Sequence, residues 1–233
     1  MQNKQEKISV LLATYNDSST ITQSIESILS QTYENFELLI LDDCSTDDTF
    51  HIADELVKKD SRLFLQKNNV NLGLTKSLNI LIQKSSGNFI ARQDADDISL
   101  PNRLQFQVQV MSKYKLDFCT TRSIRTDSNR IVPFFSHYIP KKILINYKNP
   151  FIHGTLMAKK EVFIKTNNYD EKYYYSQDYK LFKDFLNQNF KYKVISKPLY
   201  LLNMVDNIST NKSEEQKYYA DCVRKNIEPD LII

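Results

Sequence analysis

The chain has 233 residues, 41% hydrophobic and 25% charged, which suits one large globular domain and argues against a disordered or fibrous chain. Its net charge of +3 is too mild for a nucleic-acid binder, which needs a basic stripe with interleaved aromatics. Cys44, Cys119 and Cys222 are odd in number and form no Cys-x-x-Cys pair, so neither a disulfide framework nor a zinc site is indicated and a reducing cytoplasm fits.

In chain order, Met1 to Lys7 is polar, unlike a secretory leader, and no apolar run nears the ~20 residues that span a bilayer. Ile8 to Thr14 is a nearly continuous branched apolar run, the pattern of a strand covered on both faces. Asp17, Ser18 and Ser19 offer caps for a helix with Ile21, Ile25, Ile28 and Leu29 on one face. A second strand, Phe36 to Leu41, runs into Asp42-Asp43. Ser45 and Thr46 then offer caps for a helix that turns Phe50, Ala53, Leu56 and Val57 inward. Leu63 to Gln66 reads as a third strand, Thr75 to Lys84 as a helix, and Asn88 to Arg92 as a fourth strand, with Asp94 just past its end. Strands and helices alternating at this length predict a doubly wound α/β sheet whose ligands bind beyond the carboxyl ends of the strands. Thr14-Tyr15-Asn16, Asp42-Asp43 and Asp94 to Asp97 all fall at such ends, and are expected to converge on one crevice.

After Pro101, which suits the first turn of a helix bearing Leu104, Val108 and Met111, the pattern is more mixed. Phe118 to Arg125 and Ile131 to Phe135 read as a hairpin turning at Asp127-Ser128-Asn129, and Phe151 to Ala158 as a strand. Gln177 to Asn187 reads as a helix with Leu181, Phe182, Phe185 and Leu186 inward, and Ser213 to Lys225 as a polar helix. No internal repeat or low-complexity linker divides the chain. A single domain over 1–233 is expected, with a nucleotide-binding part at 1–100 and an acceptor-side part at 101–233. Lys113, Lys115, Lys141, Lys142, Lys148, Lys159 and Lys160 crowd the middle of the chain, either as a solvated face or as a peripheral contact with the cytoplasmic face of a membrane.

Only three glycines occur, Gly73, Gly87 and Gly154, so neither a Gly-x-Gly-x-x-Gly turn nor a Gly-x-x-x-x-Gly-Lys phosphate loop is present. A nucleotide diphosphate in this crevice then needs a cation, and Asp94, Asp96 and Asp97 offer hard oxygen ligands for Mn²⁺ or Mg²⁺. Such an ion acts as a Lewis acid on a leaving diphosphate. Three like charges after a buried strand repel one another unless a cation sits among them. A solvated acidic turn capping the helix near Pro101 is the plainer alternative.

The order Ala13-Thr14-Tyr15-Asn16, Asp42-Asp43, Asn71-Leu72-Gly73, Asn79, Gly87 and Asp94 to Asp97 with Pro101 resembles the family 2 glycosyltransferases, from about Ile8 to Phe185. The resemblance implies the GT-A fold: a Rossmann-like, mostly parallel sheet with a second, smaller sheet on the acceptor side. It also implies a UDP-sugar donor bordered by Ala13, Thr14, Tyr15, Asp42, Asp43, Asn71, Gly73, Asp94, Ala95, Asp96 and His153. Asp43 is favoured for the uracil edge with Asp42 in support, and Asp96 and Asp97 for the metal. An inverting transfer to a saccharide or lipid-linked acceptor is implied, with Asp178 matching the general base. Gln177 stands where the family commonly has Glu. Asp178 could also merely cap its helix, His153 could be structural, Arg92 could pair with the acidic run, and Tyr173-Tyr174-Tyr175 could stack on sugars or simply pack. A sugar nucleotidyltransferase is disfavoured because no Gly-rich, Arg-containing first loop is present. A non-catalytic nucleotide-sugar module finds its support in Gln177.

Overall fold

The computed structural model describes residues 6–204 and 213–230, so of the polar start only Glu6 and Lys7 fall within it. β1 (Ile8–Thr14) is buried at every position, and its alternate residues serve two layers. Val10 and Leu12 join Ile21, Ile25 and Ile28 of α1 (Ile21–Leu29), whereas Leu11 and Ala13 join Leu78, Leu81 and Ile82 of α3 (Leu74–Lys84). Side chains alternate across a strand, so a strand with helices on both faces is apolar at successive positions. β2 (Phe36–Asp42) repeats the arrangement, with α2 (Thr49–Val57), β3 (Leu63–Lys67) and β4 (Phe89–Arg92) completing the parallel part. The helix starts differ in detail from the sequence reading. Thr20 and Asp48 occupy the N-cap positions of α1 and α2, and Asp17 turns its carboxylate back onto Thr14.

The second half supplies β5 (Ile98–Ser99), α4 (Arg103–Tyr114), β6 (Phe118–Arg125), β7 (Ile131–Val132), α5 (Lys141–Leu144), β8 (Met157–Lys159), α6 (Lys160–Lys165), α7 (Gln177–Asn187), β9 (Tyr192–Leu202) and α8 (Ser213–Lys225). Among the described residues the strands form one sheet in the order β3-β2-β1-β4-β8-β6-β9-β5, with β7 on β6. The α/β architecture is therefore as expected, but the smaller acceptor-side sheet does not stand apart. It is continuous with the parallel part because β8 pairs antiparallel with both β4 and β6.

Two local expectations are corrected. The strand foreseen over Phe151 to Ala158 is confined to β8. His153–Thr155 forms a tight 3-10 turn, and the Gly154 carbonyl goes to the Arg103 guanidinium instead of a ladder partner. The hairpin of β6 and β7 is present, but β7 stops at Val132 because Pro133 has no N–H to donate. Among the described residues no helix is long and apolar enough to cross a membrane.

The carboxyl ends of β1, β2 and β4 lie side by side. Thr14 is level with Asp42, the Asp43 amide donates to the Thr14 carbonyl at 2.9 Å, and the Gln93 amide donates to the Leu11 carbonyl at 3.0 Å. The three acidic or polar segments singled out in the sequence thus meet.

Candidate functional site

The acidic run is anchored by Gln93, which is fully buried. Its amide nitrogen donates to Ser24 Oγ at 2.9 Å and to the carbonyls of Asp94 and Asp97 at 3.1 and 2.9 Å, while its oxygen accepts from Ser99 Oγ at 2.6 Å. A turn held at both ends in this way points its three carboxylates in fixed, different directions. Asp94 Oδ1 is paired with the buried Arg92 guanidinium at 2.7 Å, so the ion pair weighed for Arg92 forms. Asp97 is 2% exposed, and its Oδ1 accepts from the Asn203 amide at 2.6 Å. Burial, then the charges of Asp94 and Asp96, hold its carboxyl well above the usual range. Asp96 is half-buried, and its carboxyl is pushed up to about 6 by burial first and then by the neighbouring charges of Asp94 and Asp17.

These environments differ in what a divalent cation would find. Asp97 is committed to the chain just past β9 by the Asn203 amide, which counts against the expected metal role. Asp96 sits among like charges, and Arg92, the cation that acts on it, is already paired with Asp94. Among the described residues no three acidic, His or Cys groups converge on one point. The donor set therefore suits an ion that takes one or two carboxylates and fills its remaining positions with phosphate oxygens and water, as Mg²⁺ does.

On the β1 side, Thr14 Oγ1 and the Tyr15 amide both donate to Asp17 Oδ2, at 2.7 and 3.0 Å, and Tyr15 is 46% exposed at the rim. Ala13 is buried in the core, so it can meet a ligand only through its backbone. Asp42 is fully buried, with Oδ2 accepting the Ser45 amide at 3.1 Å and ion-paired with Lys67 at 3.7 Å. Asp43 organises the loop after β3. Its Oδ1 accepts Asn68 Nδ2 at 2.7 Å and the Leu72 amide at 2.9 Å, and its Oδ2 accepts the Gly73 amide at 2.7 Å. Asn71 Oδ1 also accepts from that amide, at 3.1 Å.

Gly73 takes φ +84°, and a Cβ there would come within 2.6 Å of the Tyr174 ring. Gly73→Ala is expected to destabilise the fold by about 1–3 kcal/mol, a fall of roughly 2–12 °C in Tm for a chain of this size. Thermal unfolding followed by circular dichroism checks this, and an unchanged Tm would show the loop relaxing freely.

In the second half of the chain, Asp178 lies in the first turn of α7. Its Oδ2 accepts Asn149 Nδ2 at 2.7 Å and its Oδ1 accepts the Tyr179 amide at 2.7 Å. Burial raises its carboxyl to about 6, and the charge of Asp94 adds to the shift, so the two carboxylates share one electrostatic space. His153 Nε2 bonds the Tyr169 hydroxyl at 2.7 Å, and burial, aided by Arg92, lowers the imidazole to about 3. It is neutral at physiological pH. Asn79 clamps Tyr169 by donating to its carbonyl at 2.9 Å and accepting its amide at 3.0 Å, which explains an asparagine on α3. Of the three tyrosines before Gln177, Tyr173 is buried and Tyr174 covers Gly73.

The sequence reading missed Asp17 as a site carboxylate, Asn149, Tyr169, Arg103 and Tyr200. Arg103 is fully buried, donates to the Gly154 and Arg92 carbonyls at 2.7 and 2.8 Å, and lies 5.3 Å from the Tyr200 ring centroid. The Tyr200 hydroxyl accepts the Asp94 amide at 3.1 Å. A basic residue in the first turn of a helix runs against the helix dipole, a signal that could have marked Arg103. Tyr200 carries no local signal.

The profile of glycosyl transferase family 2 matches residues 9–168. EpsE of Bacillus subtilis is 37% identical over 174 residues, 72% of this chain but 61% of its own length, so this chain spans less than two thirds of that relative. The O-antigen biosynthesis glycosyltransferase WbnJ of Escherichia coli is 35% identical over 89% of this chain and 83% of its own. WfaP of Escherichia coli, named a UDP-Glc:α-D-GlcNAc-diphosphoundecaprenol β-1,3-glucosyltransferase, is 39% identical over 48% of this chain and 44% of its own. In structure, residues 1–349 of Staphylococcus aureus TarS with UDP superpose with a TM-score of 0.75 at 21% identity, over 96% of this chain and 67% of that one. The Pyrobaculum calidifontis mannosyltransferase with GDP-Man and Mn²⁺ gives 0.76 at 16% identity, over 97% and 67%. At such identities the likeness is one of fold.

Proposed function

This chain belongs to glycosyl transferase family 2 and has the GT-A fold, and from that premise we propose that it transfers a sugar, with inversion, from a UDP-sugar to a hydroxyl of a saccharide or lipid-linked saccharide. It acts as one domain, with residues 1–100 holding the donor and 101–233 the acceptor. The observation that carries the reading is Asp178, a carboxylate fixed by Asn149 and the Tyr179 amide, raised to about 6, and within the field of Asp94 from the donor half. The UDP bound by TarS, the UDP-Glc in the name of WfaP and the O-antigen role in the name of WbnJ support a UDP-sugar and surface-polysaccharide assembly.

In this reading Thr14 and Tyr15 border the base and ribose, with Ala13 contributing backbone. Asp43, which holds the loop containing Asn71 and Gly73 through the Leu72 and Gly73 amides, presents its remaining lone pairs to the uracil edge, with Asp42 behind it. Asp94, steadied by Arg92, and the Ala95 backbone border the ribose and sugar, and His153 offers a neutral imidazole on the sugar side. Asp96, not Asp97, holds the metal. A Mn²⁺ or Mg²⁺ bound there would draw off negative charge as the diphosphate leaves. Asp178 accepts the proton of the acceptor hydroxyl while that oxygen bonds the anomeric carbon from the face opposite UDP. The bond to the diphosphate breaks, and UDP departs with its electron pair.

The sign of the pH dependence follows from the raised carboxyl. Asp178 works as a base only when ionised, so kcat/KM is expected to hold above about pH 6 and to fall at least tenfold per unit below it, more steeply where Asp96 also takes up a proton. Initial rates with a UDP-sugar, Mn²⁺ and a soluble acceptor test this. A flat profile down to pH 5 sinks the base assignment, and an absence of turnover at every pH, with UDP still bound, favours a non-catalytic module.

A further inference from the structure

Of the large hydrophobic side chains exposed among the described residues, half fall between Ile131 and Tyr147, a short excursion between β6 and β8. Phe135 and Tyr138 are each 79% exposed and Tyr147 70%, with Phe134, Ile139 and Ile143 beside them. The excursion is compact, because the buried Lys141 ammonium gathers the carbonyls of Ser136, His137 and Ile139 at 2.7–2.9 Å. That also removes Lys141 from the basic surface foreseen in the sequence. Outward-facing cations remain in Arg130, Lys142 and Lys148, and no Asp or Glu occurs between Asp127 and Glu161. Asn149, which holds Asp178, directly follows Lys148, so the excursion adjoins the acceptor side of the crevice.

A clustered apolar patch left in water marks an interaction surface. Aromatic rings rimmed by cations, in a stretch of chain without any acidic residue, match the boundary between acyl chains and anionic headgroups, whereas a second copy would bring cation against cation. We propose that residues 130–148 dock this chain onto an anionic lipid surface, with Phe134, Phe135, Tyr138 and Tyr147 entering the interface and Lys142 and Lys148 meeting phosphates. The docking itself needs no substrate. Its purpose, presenting Asp178 to a lipid-linked acceptor, rests on the function proposed above.

Flotation with phosphatidylcholine vesicles, with and without phosphatidylglycerol and free of acceptor, tests it. Wild type is expected to float with the anionic vesicles and to be released by salt. Phe135→Ser/Tyr138→Ser and, separately, Lys142→Glu/Lys148→Glu should each weaken binding by about tenfold or more. Both variants should keep the wild-type Tm and the wild-type rate on a water-soluble acceptor, a readout that tests the proposed activity independently of docking. Wild type failing to float overturns the proposal, as do variants that float equally well. So does a dimer in sedimentation equilibrium that Phe135→Ser/Tyr138→Ser dissolves, because the occupant is then a second copy.

Discussion

Asp178→Asn is expected to bind UDP with wild-type affinity and to lose transfer by a factor of about 10²–10⁴, the range a general base supplies. The substitution keeps the side-chain shape, and the amide oxygen can still accept the Tyr179 amide that Oδ1 accepts now. What disappears is the basic lone pair facing the acceptor. The partner Asn149 also donates an N–H at this point, so one donor must turn away from the other. The wild-type carboxyl is raised to about 6 by burial, so its favourable contribution to stability lies at low pH and is lost as pH rises through 6. At pH 7 the ionised group is a cost that asparagine removes, and the Tm should not fall. Transfer at the wild-type rate would refute the base, and loss of UDP affinity would move Asp178 to the donor side.

The first half was legible because buried parallel strands write themselves as nearly unbroken apolar runs. Ile8 to Thr14 and Phe36 to Leu41 are such runs, interrupted only by Ser9 and Glu37, and the acidic residues after them stand at strand ends. β9 was not foreseen, since Lys193, Ser196, Lys197 and Pro198 interrupt its pattern. It bonds to β6 with register shifts around Pro198, a pairing set by tertiary contacts. The acidic run shows the same divide. Its position and chemistry could be read locally, but the separate tasks of its carboxylates depend on partners about a hundred residues downstream. Asn203 takes Asp97 and Tyr200 takes the Asp94 amide, and neither residue has a spacing that announces it. Lys141 is the converse case, a residue that reads as a surface cation and is instead an internal tie.

Asp96→Ala is expected to abolish the Mn²⁺-dependent part of UDP binding, a loss on the order of 100-fold or more. A carboxylate against a cation near a protein surface is worth about 4 kcal/mol before hydration offsets part of it. Titration calorimetry of UDP with Mn²⁺ and with chelator reads the difference, and the two curves should coincide in the variant. Asp97→Asn is the companion measurement. Because Asp97 is tied to the Asn203 amide just past β9, its variant should keep the metal dependence, and losing it would restore Asp97 as a ligand. Stability separates a lost site from a damaged fold. Asp96 is raised to about 6 by burial and by the charges of Asp94 and Asp17, so above pH 6 the metal-free protein carries an uncompensated carboxylate. Removing it should raise the metal-free Tm at pH 7.5, and the gain should shrink as pH falls through 6. A variant that is more stable without metal and blind to metal with UDP has lost a ligand, and a misfolded protein cannot produce that pair of opposite signs.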